Sequence, residues 1–444
     1  MSVQSNSMLS GAVGPTFFRY GIPWALGFLL LSSAGLVDAV FIGRYAGSDA
    51  LAAVNLVSPM FSFFFGIGII LSVGGTVTSA RHMGEGDVKR ASAMFSKAMT
   101  GLLFVSLLFV AGALLFTDQL LTLLGAQGSL VEPARLYLRT LMYFGPILPC
   151  AYAFSQFARV DQHPALASFG LALSAGVNIV LDFVLIGVCG WSVFGAALAT
   201  GIGFSCTLVL FLWHFFSRRA RLRLGRPRGG WMELFRAGAN GGAEFINEIS
   251  IGAVLLFLNR LMIHHFGADG VAAFTVVNYG SWFGLTMAYG LSDTLAPLVS
   301  ANYGARLKKR VHSLLRISLL TLFGLGACMF LLFTLYPEQI IDLFVPGNRH
   351  VAAIALDFIR DYRWSFFFSG LNMGLVCYFT GLHRPKQAMS LALMRSLLLP
   401  LLLLATLPRC FGEEGIYAAI PAAEALTLAL GAFLLIRGRR CSGW

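Results

Sequence analysis

The sequence predicts an all-α polytopic membrane protein with twelve transmembrane helices in two pseudo-symmetric six-helix lobes. Three observations lead to this fold class: the hydropathy of the chain, its division into long apolar runs, and a repeat of the first half in the second. Of the 444 residues, 57% are hydrophobic and 12% are charged, and the mean hydropathy is +0.77. Soluble chains carry about 25% charged residues. A soluble globular domain is therefore excluded, and the alternating strands of an outer-membrane barrel are not visible.

Each apolar run is long enough to cross the hydrocarbon core, which takes about 20 helical residues. Charged residues or Gly and Pro separate the runs. The predicted spans are 16–41, 51–80, 92–116, 135–158, 166–188, 193–216, 232–265, 271–301, 312–336, 353–380, 388–408 and 415–437. The first span is not expected to be a cleaved signal peptide, because it lacks a basic start and contains Asp38.

Lys and Arg divide unequally between the two sides of the membrane. With a cytoplasmic N-terminus, the inside segments hold 24 of the 32 Lys and Arg residues, which the positive-inside rule favours. This distribution explains the net charge of +12 without nucleic-acid binding. The most basic connector lies at the midpoint. We therefore predict an N-terminal lobe at 1–217, a basic cytoplasmic linker at 218–231 that can contact anionic lipid, and a C-terminal lobe at 232–444.

The second half of the chain repeats the first. Residues 46–53 (AGSDALAA) match residues 266–273 (FGADGVAA) at four positions, an offset of 220. The same offset pairs Gly84 with Gly304 and Gly195 with Gly415. Because each half has an even number of spans, both halves have the same orientation. Such parallel repeats are typical of alternating-access transporters.

Four polar residues of the first half are predicted to lie at a similar depth: Asp38, Asn178, Asp182 and Thr200. From the helical rise, Asp182 is about 24 Å from the cytoplasmic end of its span. A carboxylate at that depth costs about 2.5–3.5 kcal/mol on insertion scales and is usually functional. Two carboxylates in a dry site cannot both ionise cheaply, so they suit uptake of H+ or Na+. For Asn178 and Thr200, the alternative to a role in ion binding is a structural hydrogen bond between helices.

The second half carries a different polar set, which we predict to line a substrate cavity: Glu244, Glu248, Asn259, Asp293 and Glu424. Asn259 lies close to the repeat counterpart of Asp38, whereas Asp182 has no acidic counterpart. We therefore predict that the first lobe binds the driving ion and the second shapes affinity for drugs.

No pattern of an enzyme, a cofactor or a resident metal ion stands out. The seven Cys and eight His residues show no metal-ligand or redox spacing, and Gly84–Asp87 is a turn rather than a phosphate loop. An intramembrane acyl or glycosyl transferase is the alternative class, but it would need catalytic groups at a membrane interface. Here the carboxylates lie within the spans.

Short motifs in a fixed order resemble the multidrug and toxic compound extrusion family across essentially the whole chain. They are Asp38-Ala-Val-Phe-Ile-Gly43 with Gly47 and Leu51-Ala-Ala53, Asn178-Ile-Val-Leu-Asp182, Gly195-Ala-Ala197, and Pro297-Leu-Val-Ser-Ala-Asn302-Tyr-Gly304. The resemblance implies two lobes forming a V around a central cavity. The family's ion-coupling site matches the four residues above together with Pro23, which permits a helix bend. Ala34 stands where the family often has Tyr.

The resemblance also implies a function. It predicts cation-coupled (H+ or Na+) antiport of small-molecule drugs or organic cations, with no other cofactor, by a monomer in the bacterial inner membrane with both termini cytoplasmic. Membrane lipids are the other expected partners, and nucleic acid is not expected. A lipid-linked saccharide flippase of the same superfamily fold is the alternative. The row of arginines in the early helices expected of such a flippase is missing.

Overall fold

The computed structural model describes residues 6–227, 229–346 and 348–442. Arg228 of the predicted linker and both chain ends lie outside these residues. Within them the chain is helical and has no strand. The helices are α1 (Val13–Phe41), α2 (Ser48–Gly84), α3 (Val88–Leu115), α4 (Thr117–Leu123), α5 (Val131–Tyr143), α6 (Ile147–Val160), α7 (Pro164–Leu181), α8 (Ser192–Phe216), α9 (Met232–Gly304), α10 (Lys308–Leu335), α11 (Pro337–Phe344), α12 (Arg349–Tyr362), α13 (Ser365–Gly381), α14 (Pro385–Leu393), α15 (Leu399–Phe411) and α16 (Glu413–Ser442).

π-Helical segments extend three of these helices: Ile42–Ala46 after α1, Asp182–Val188 after α7, and Met394–Leu398 between α14 and α15. A 3-10 turn, Gly128–Leu130, precedes α5. π-Helical turns are rare and are often found at functional sites. Two of these three segments begin at or within a few residues of a predicted ion-coupling residue.

The predicted set of twelve transmembrane helices is confirmed, although two of them are discontinuous. Among the described residues, 9 helical stretches are long and apolar enough to cross a membrane. One of them, α9, contains two predicted spans, because its backbone leaves the helix at Gly267 (φ 64°, ψ −150°). The predicted spans 135–158 and 353–380 are the helix pairs α5–α6 and α12–α13. Each member of these pairs is too short to be counted alone.

The internal repeat is visible in the order of the helices. α3 and α10 begin at Val88 and Lys308, and α4 and α11 begin at Thr117 and Pro337, so both pairs keep the offset of 220. The turn after the first span of each half lies at a glycine with positive φ, Gly47 (φ 90°) or Gly267 (φ 64°). Glycine adopts this conformation without the steric cost that a Cβ would bring.

The chain divides into two compact units. One comprises Ile22–Gly241 together with the described residues up to Gly11, and the other comprises Ala12–Gly21 together with the described residues from Gly242 onward. The start of α9 thus packs with the first unit rather than beginning the second. Each unit has its own apolar core, centred on residues such as Leu138 and Ala196 in the first and Phe358 and Tyr417 in the second.

Glycines bring the start of α9 and α2 into backbone contact within the first unit. A Cβ added to Gly74 would lie 2.3 Å from the carbonyl oxygen of Ala237, and one added to Gly241 would lie 2.3 Å from that of Ile70. Small residues at helix crossings in membranes permit this close approach. The interface therefore requires glycine at both positions.

Candidate cation-binding site

The two acidic residues predicted for the ion-coupling site, Asp38 and Asp182, each lie at the end of a helix. Asp38 lies in the last turn of α1, just before a π-helical segment, and Asp182 is the first residue of the π-helical segment that extends α7. A π-helical turn rotates the residues that follow it relative to a regular helix. The hydrophobic periodicity of the two spans does not reveal this change, so sequence reasoning did not predict it.

Close packing of α7 against α8 brings two further polar residues, Asn178 and Thr200, together next to Asp182. A Cβ on Gly203 would lie 2.8 Å from the Ser174 carbonyl oxygen, and the Thr207 hydroxyl donates to the Gly170 carbonyl at 2.8 Å. At this separation the Asn178 Nδ2 reaches the Thr200 Oγ1 at 3.4 Å. The two residues are thus brought together, one helical turn before Asp182.

The carboxyl groups of Asp38 and Asp182 lie close enough to each other to act on each other's charge. Asp182 is fully buried and Asp38 is half-buried. Asp38 Oδ1 and both Asp182 oxygens are buried without a donor from the described residues. Two ionised carboxylates offer only acceptors to each other, and buried polar groups are nearly always paired. The pair can therefore be satisfied by a shared proton or by a cation that prefers oxygen ligands.

Tyr137 is a further member of this site that sequence reasoning missed. It lies on α5, is 9% exposed, and is close enough to Asp38 and Asp182 for both to act on it electrostatically. Its hydroxyl can supply a donor to a carboxylate or an oxygen ligand to a cation. The only signal in the sequence was a tyrosine in an amphipathic stretch, which ordinary helix packing explains equally well.

Pro23 has a structural rather than a ligating position. It lies inside α1, about four turns before Asp38, and α1 remains helical through it. The next residue, Trp24, is fully buried, and the guanidinium carbon of Arg159 lies 3.8 Å from its ring centroid. Cation–π contacts of this kind are strongest where water is excluded. The contact anchors α1 to α6 beside the proline.

The acidic residues predicted to line the substrate cavity lie in two separate places in the second unit. In the first, the Tyr289 hydroxyl donates to Glu244 Oε2 at 2.8 Å, and Asp293 is near enough to act on the Glu244 charge. Both acidic residues are buried. Glu248, one turn further along α9, is half-buried. Among the described residues no side-chain hydrogen bond or ion pair to Glu248 or Asn259 is present.

The second group is an ion pair that the sequence did not suggest. Arg395 Nε donates to Glu424 Oε1 at 3.0 Å and to Oε2 at 3.2 Å. Asn372 Nδ2 donates to Glu424 Oε2 at 2.7 Å. The Arg395 and Glu424 side chains are only 13% and 8% exposed. Arg395 is one of the 24 Lys and Arg residues assigned to the cytoplasmic side, but it lies within the predicted span 388–408 and balances the charge of Glu424.

Comparison with known proteins identifies the family. The family model described as MatE matches residues 23–184 and 248–405. The matched segments cover most of the chain, and the first contains both Asp38 and Asp182.

The chain belongs to the multidrug and toxic compound extrusion (MATE) family. It is 25% identical over 430 residues to the multidrug export protein MepA of Staphylococcus aureus strain MSSA476, covering 94% of this chain and 92% of that protein. A MepA of Staphylococcus saprophyticus is 24% identical over the same shares. The chain is thus a multi-pass membrane transporter.

Solved structures show the same fold. An outward-facing multidrug resistance MATE transporter of the MOP superfamily matches with a TM-score of 0.91 and 22% identity, covering 97% of both chains. A MOP superfamily transporter from Pyrococcus furiosus, whose description reports a binding pocket of reverse polarity that suggests a different function, matches with a TM-score of 0.89 and 22% identity, covering 98% of this chain and 97% of that one. The MATE fold of two six-helix lobes is thereby confirmed.

Proposed function

We propose that this MATE transporter is a secondary active multidrug exporter of the bacterial inner membrane. It exchanges H+ or Na+ for amphipathic, often cationic, organic compounds by alternating access. It acts as a monomer surrounded by lipid, with both chain ends in the cytoplasm. The observation that carries the proposal is the proximity of two acidic side chains, Asp38 and Asp182, three of whose oxygens are buried without a donor from the described residues. The full-length similarity to the MepA export proteins supports the substrate class.

The chemistry of the acidic pair explains how a cation gradient can drive the cycle. Without a cation, the two carboxylates repel each other in a site of low dielectric constant. A proton shared by the pair, or Na+ held with the help of Asn178, Thr200 and Tyr137, removes the repulsion and fixes α1 against α7 and α5. A ligand shifts a conformational equilibrium only by its difference in affinity for the two states. The cation is therefore expected to favour the state in which these helices pack together.

Efflux from proteoliposomes tests the proposal. The purified chain is reconstituted with a fluorescent cationic drug inside, and a pH gradient and a Na+ gradient are imposed separately. One of the two gradients should drive efflux of the drug. Asp38→Asn and Asp182→Asn should each abolish gradient-driven efflux, because an amide neither takes up a proton nor neutralises a cation.

The matched control is Asp342→Asn, which removes an exposed carboxylate in the second unit and should leave efflux unchanged. Chromatographic homogeneity and helical circular dichroism show whether each variant is folded. Normal gradient-driven efflux by a folded Asp38→Asn variant would contradict the site.

A lipid-linked saccharide flippase is the second candidate. The Pyrococcus furiosus transporter has the same fold, and the reverse polarity of its binding pocket suggests a different function. The fold alone therefore does not decide between drug export and saccharide flipping, and the flippase has to be tested. Reconstituted protein that moves a fluorescent lipid-linked saccharide between leaflets, and moves no drug under either gradient, would favour the flippase.

A further inference from the structure

Three potential metal ligands meet where three helices of the first unit end or begin. Asp161 follows α6, His163 precedes α7, and His214 lies in the last turn of α8. His163 Nδ1 lies 3.1 Å and His214 Nε2 2.8 Å from Asp161 Oδ2. The three ligand atoms all lie within 4.8 Å of one another. This cluster is separate from the proposed transport site, and neither Asp38 nor Asp182 is part of it.

The rest of the site holds the carboxylate in one orientation. Asp161 Oδ1 accepts hydrogen bonds from the backbone N–H groups of Arg221 at 2.7 Å and Leu222 at 2.6 Å. This leaves Oδ2 for the two imidazoles. Hydrogen bonds to the far oxygen of a ligating carboxylate are typical of metal sites and orient the ligand.

We propose that Asp161, His163 and His214 bind a Zn2+ ion. Two imidazole nitrogens and one carboxylate oxygen are ligands that zinc prefers, with bond lengths of about 2.0–2.2 Å. Tetrahedral zinc separates its ligand atoms by about 3.4 Å, so the two nitrogen–oxygen distances of 3.1 and 2.8 Å need to open by about 0.3 and 0.6 Å. Both imidazoles lose the proton that faces the carboxylate when the ion binds.

The cluster is open to solvent on one side and has a positive charge nearby. Asp161 is fully buried and the His214 side chain is 9% exposed, whereas that of His163 is 38% exposed. The ion can therefore enter on the His163 side, where water supplies the fourth ligand. Arg221 acts electrostatically on His163, and its positive charge opposes a dication. Binding would tie the start of the basic linker, through Asp161, to α6, α7 and α8.

The test is a Zn2+ titration of the purified full-length chain in detergent against a chromophoric chelator. The wild-type chain should bind one Zn2+, and His163→Ala and His214→Ala should each weaken binding by more than about tenfold, since even second-shell losses cost that much. Arg221→Gln keeps the backbone N–H group but removes the opposing charge, so it should tighten binding severalfold. His350→Ala is the control, because His350 is an exposed histidine beside a single carboxylate, Asp269.

Two further measurements keep the proposal falsifiable if a variant folds poorly. X-ray absorption of the zinc-loaded wild-type chain should show only nitrogen and oxygen neighbours, whereas sulfur at about 2.3 Å would indicate binding to the cysteines instead. Zn2+ should also slow trypsin cleavage after the exposed linker residues Arg218, Arg219 and Arg223, and should not do so in His163→Ala. Zinc affinity that is unchanged in both histidine variants would overturn the proposal and leave a cluster joined by hydrogen bonds alone.

Discussion

At the scale of single residues, Glu424 and Arg395 form an ion pair that is expected to stabilise the folded chain. Removing one partner of a buried ion pair leaves the other charge without compensation, which costs about 3–5 kcal/mol. Glu424→Gln should therefore lower the thermal unfolding temperature markedly. Glu248→Gln should change it little, because Glu248 has no ion-pair partner among the described residues. The double variant Glu424→Gln/Arg395→Met should recover much of the loss. Equal melting temperatures for Glu424→Gln and the wild-type chain would show that the pair contributes no stability.

The glutamates of the second unit are also predicted to set the preference for cationic drugs. An ionised carboxylate in an apolar environment attracts a cation strongly, because the local dielectric constant is low. Glu248 is half-buried without a counter-charge from the described residues, whereas Glu424 already faces Arg395. We therefore expect Glu248→Gln to reduce efflux of a cationic drug more than that of a neutral one. Glu424→Gln should show a smaller difference between the two drugs.

Transport of one cationic and one neutral substrate by each variant, normalised to the amount of folded protein, measures this difference. Equal losses for both substrates with Glu248→Gln, or loss of cation binding, would instead assign the coupling ion to the second unit.

The proximity of two residues could be predicted from the sequence when they share a helix face or lie at the same calculated depth. Contacts between residues on helices far apart in the sequence could not be predicted. Asn178 and Asp182 share a helix face, and the helical rise placed Thr200 and Asp38 at the same level. Arg395 looked like an ordinary cytoplasmic arginine because nothing in its own span marks it as buried. His163 and His214 are 51 positions apart and show no motif spacing. Only the packing of α6, α7 and α8 reveals that they share one carboxylate.

At the scale of helices, hydropathy predicted where spans exist but not where they break. The breaks between α5 and α6 and between α12 and α13 occur inside the predicted spans 135–158 and 353–380. In the first, Pro146 precedes α6 and lacks a backbone donor, which is a local reason for the interruption. The π-helical segments leave no trace in the apolar pattern, because a single extra residue in a turn does not alter composition. The features closest to the acidic pair were therefore the least predictable.

The contact between α2 and the start of α9 gives a prediction at this scale. Gly241→Ala should destabilise the chain by about 1–3 kcal/mol, the usual cost of overpacking, because the new Cβ would meet the Ile70 backbone at 2.3 Å. Gly252→Ala, on the same helix, is the matched control, since no atom lies within 4 Å of its Cβ position. Thermal unfolding in detergent measures both. Gly241→Ala with the stability of Gly252→Ala would show that α2 and α9 can separate without cost.

At the scale of the whole molecule, the orientation in the membrane is predicted by the positively charged residues. Three of those counted on the cytoplasmic side are buried within the protein, namely Lys97 (2% exposed), Arg159 (1%) and Arg395 (side chain 13%). Taking these three from the 24 leaves 21 on that side against eight on the other. The excess of positive residues on the cytoplasmic side remains without these three. Both chain ends are therefore still predicted to lie in the cytoplasm.

Thiol labelling in intact cells tests this orientation with a control built into the chain. Cys189 is exposed and follows the π-helical extension of α7, which the charge distribution places on the outer side. Lys308→Cys introduces an exposed thiol at the start of α10, on the predicted cytoplasmic side. The native cysteines other than the one under test are replaced by Ser, because Cys410 is also exposed. In these single-cysteine chains a membrane-impermeant thiol reagent should label Cys189 directly and Lys308→Cys only after the cells are permeabilised. Each half is predicted to hold six spans, an even number, so the two halves are predicted to have the same orientation. Because the two sites lie in different halves, their labelling also tests this prediction. Labelling of Lys308→Cys in intact cells, with Cys189 protected, would reverse the orientation of the whole chain and place the basic linker outside.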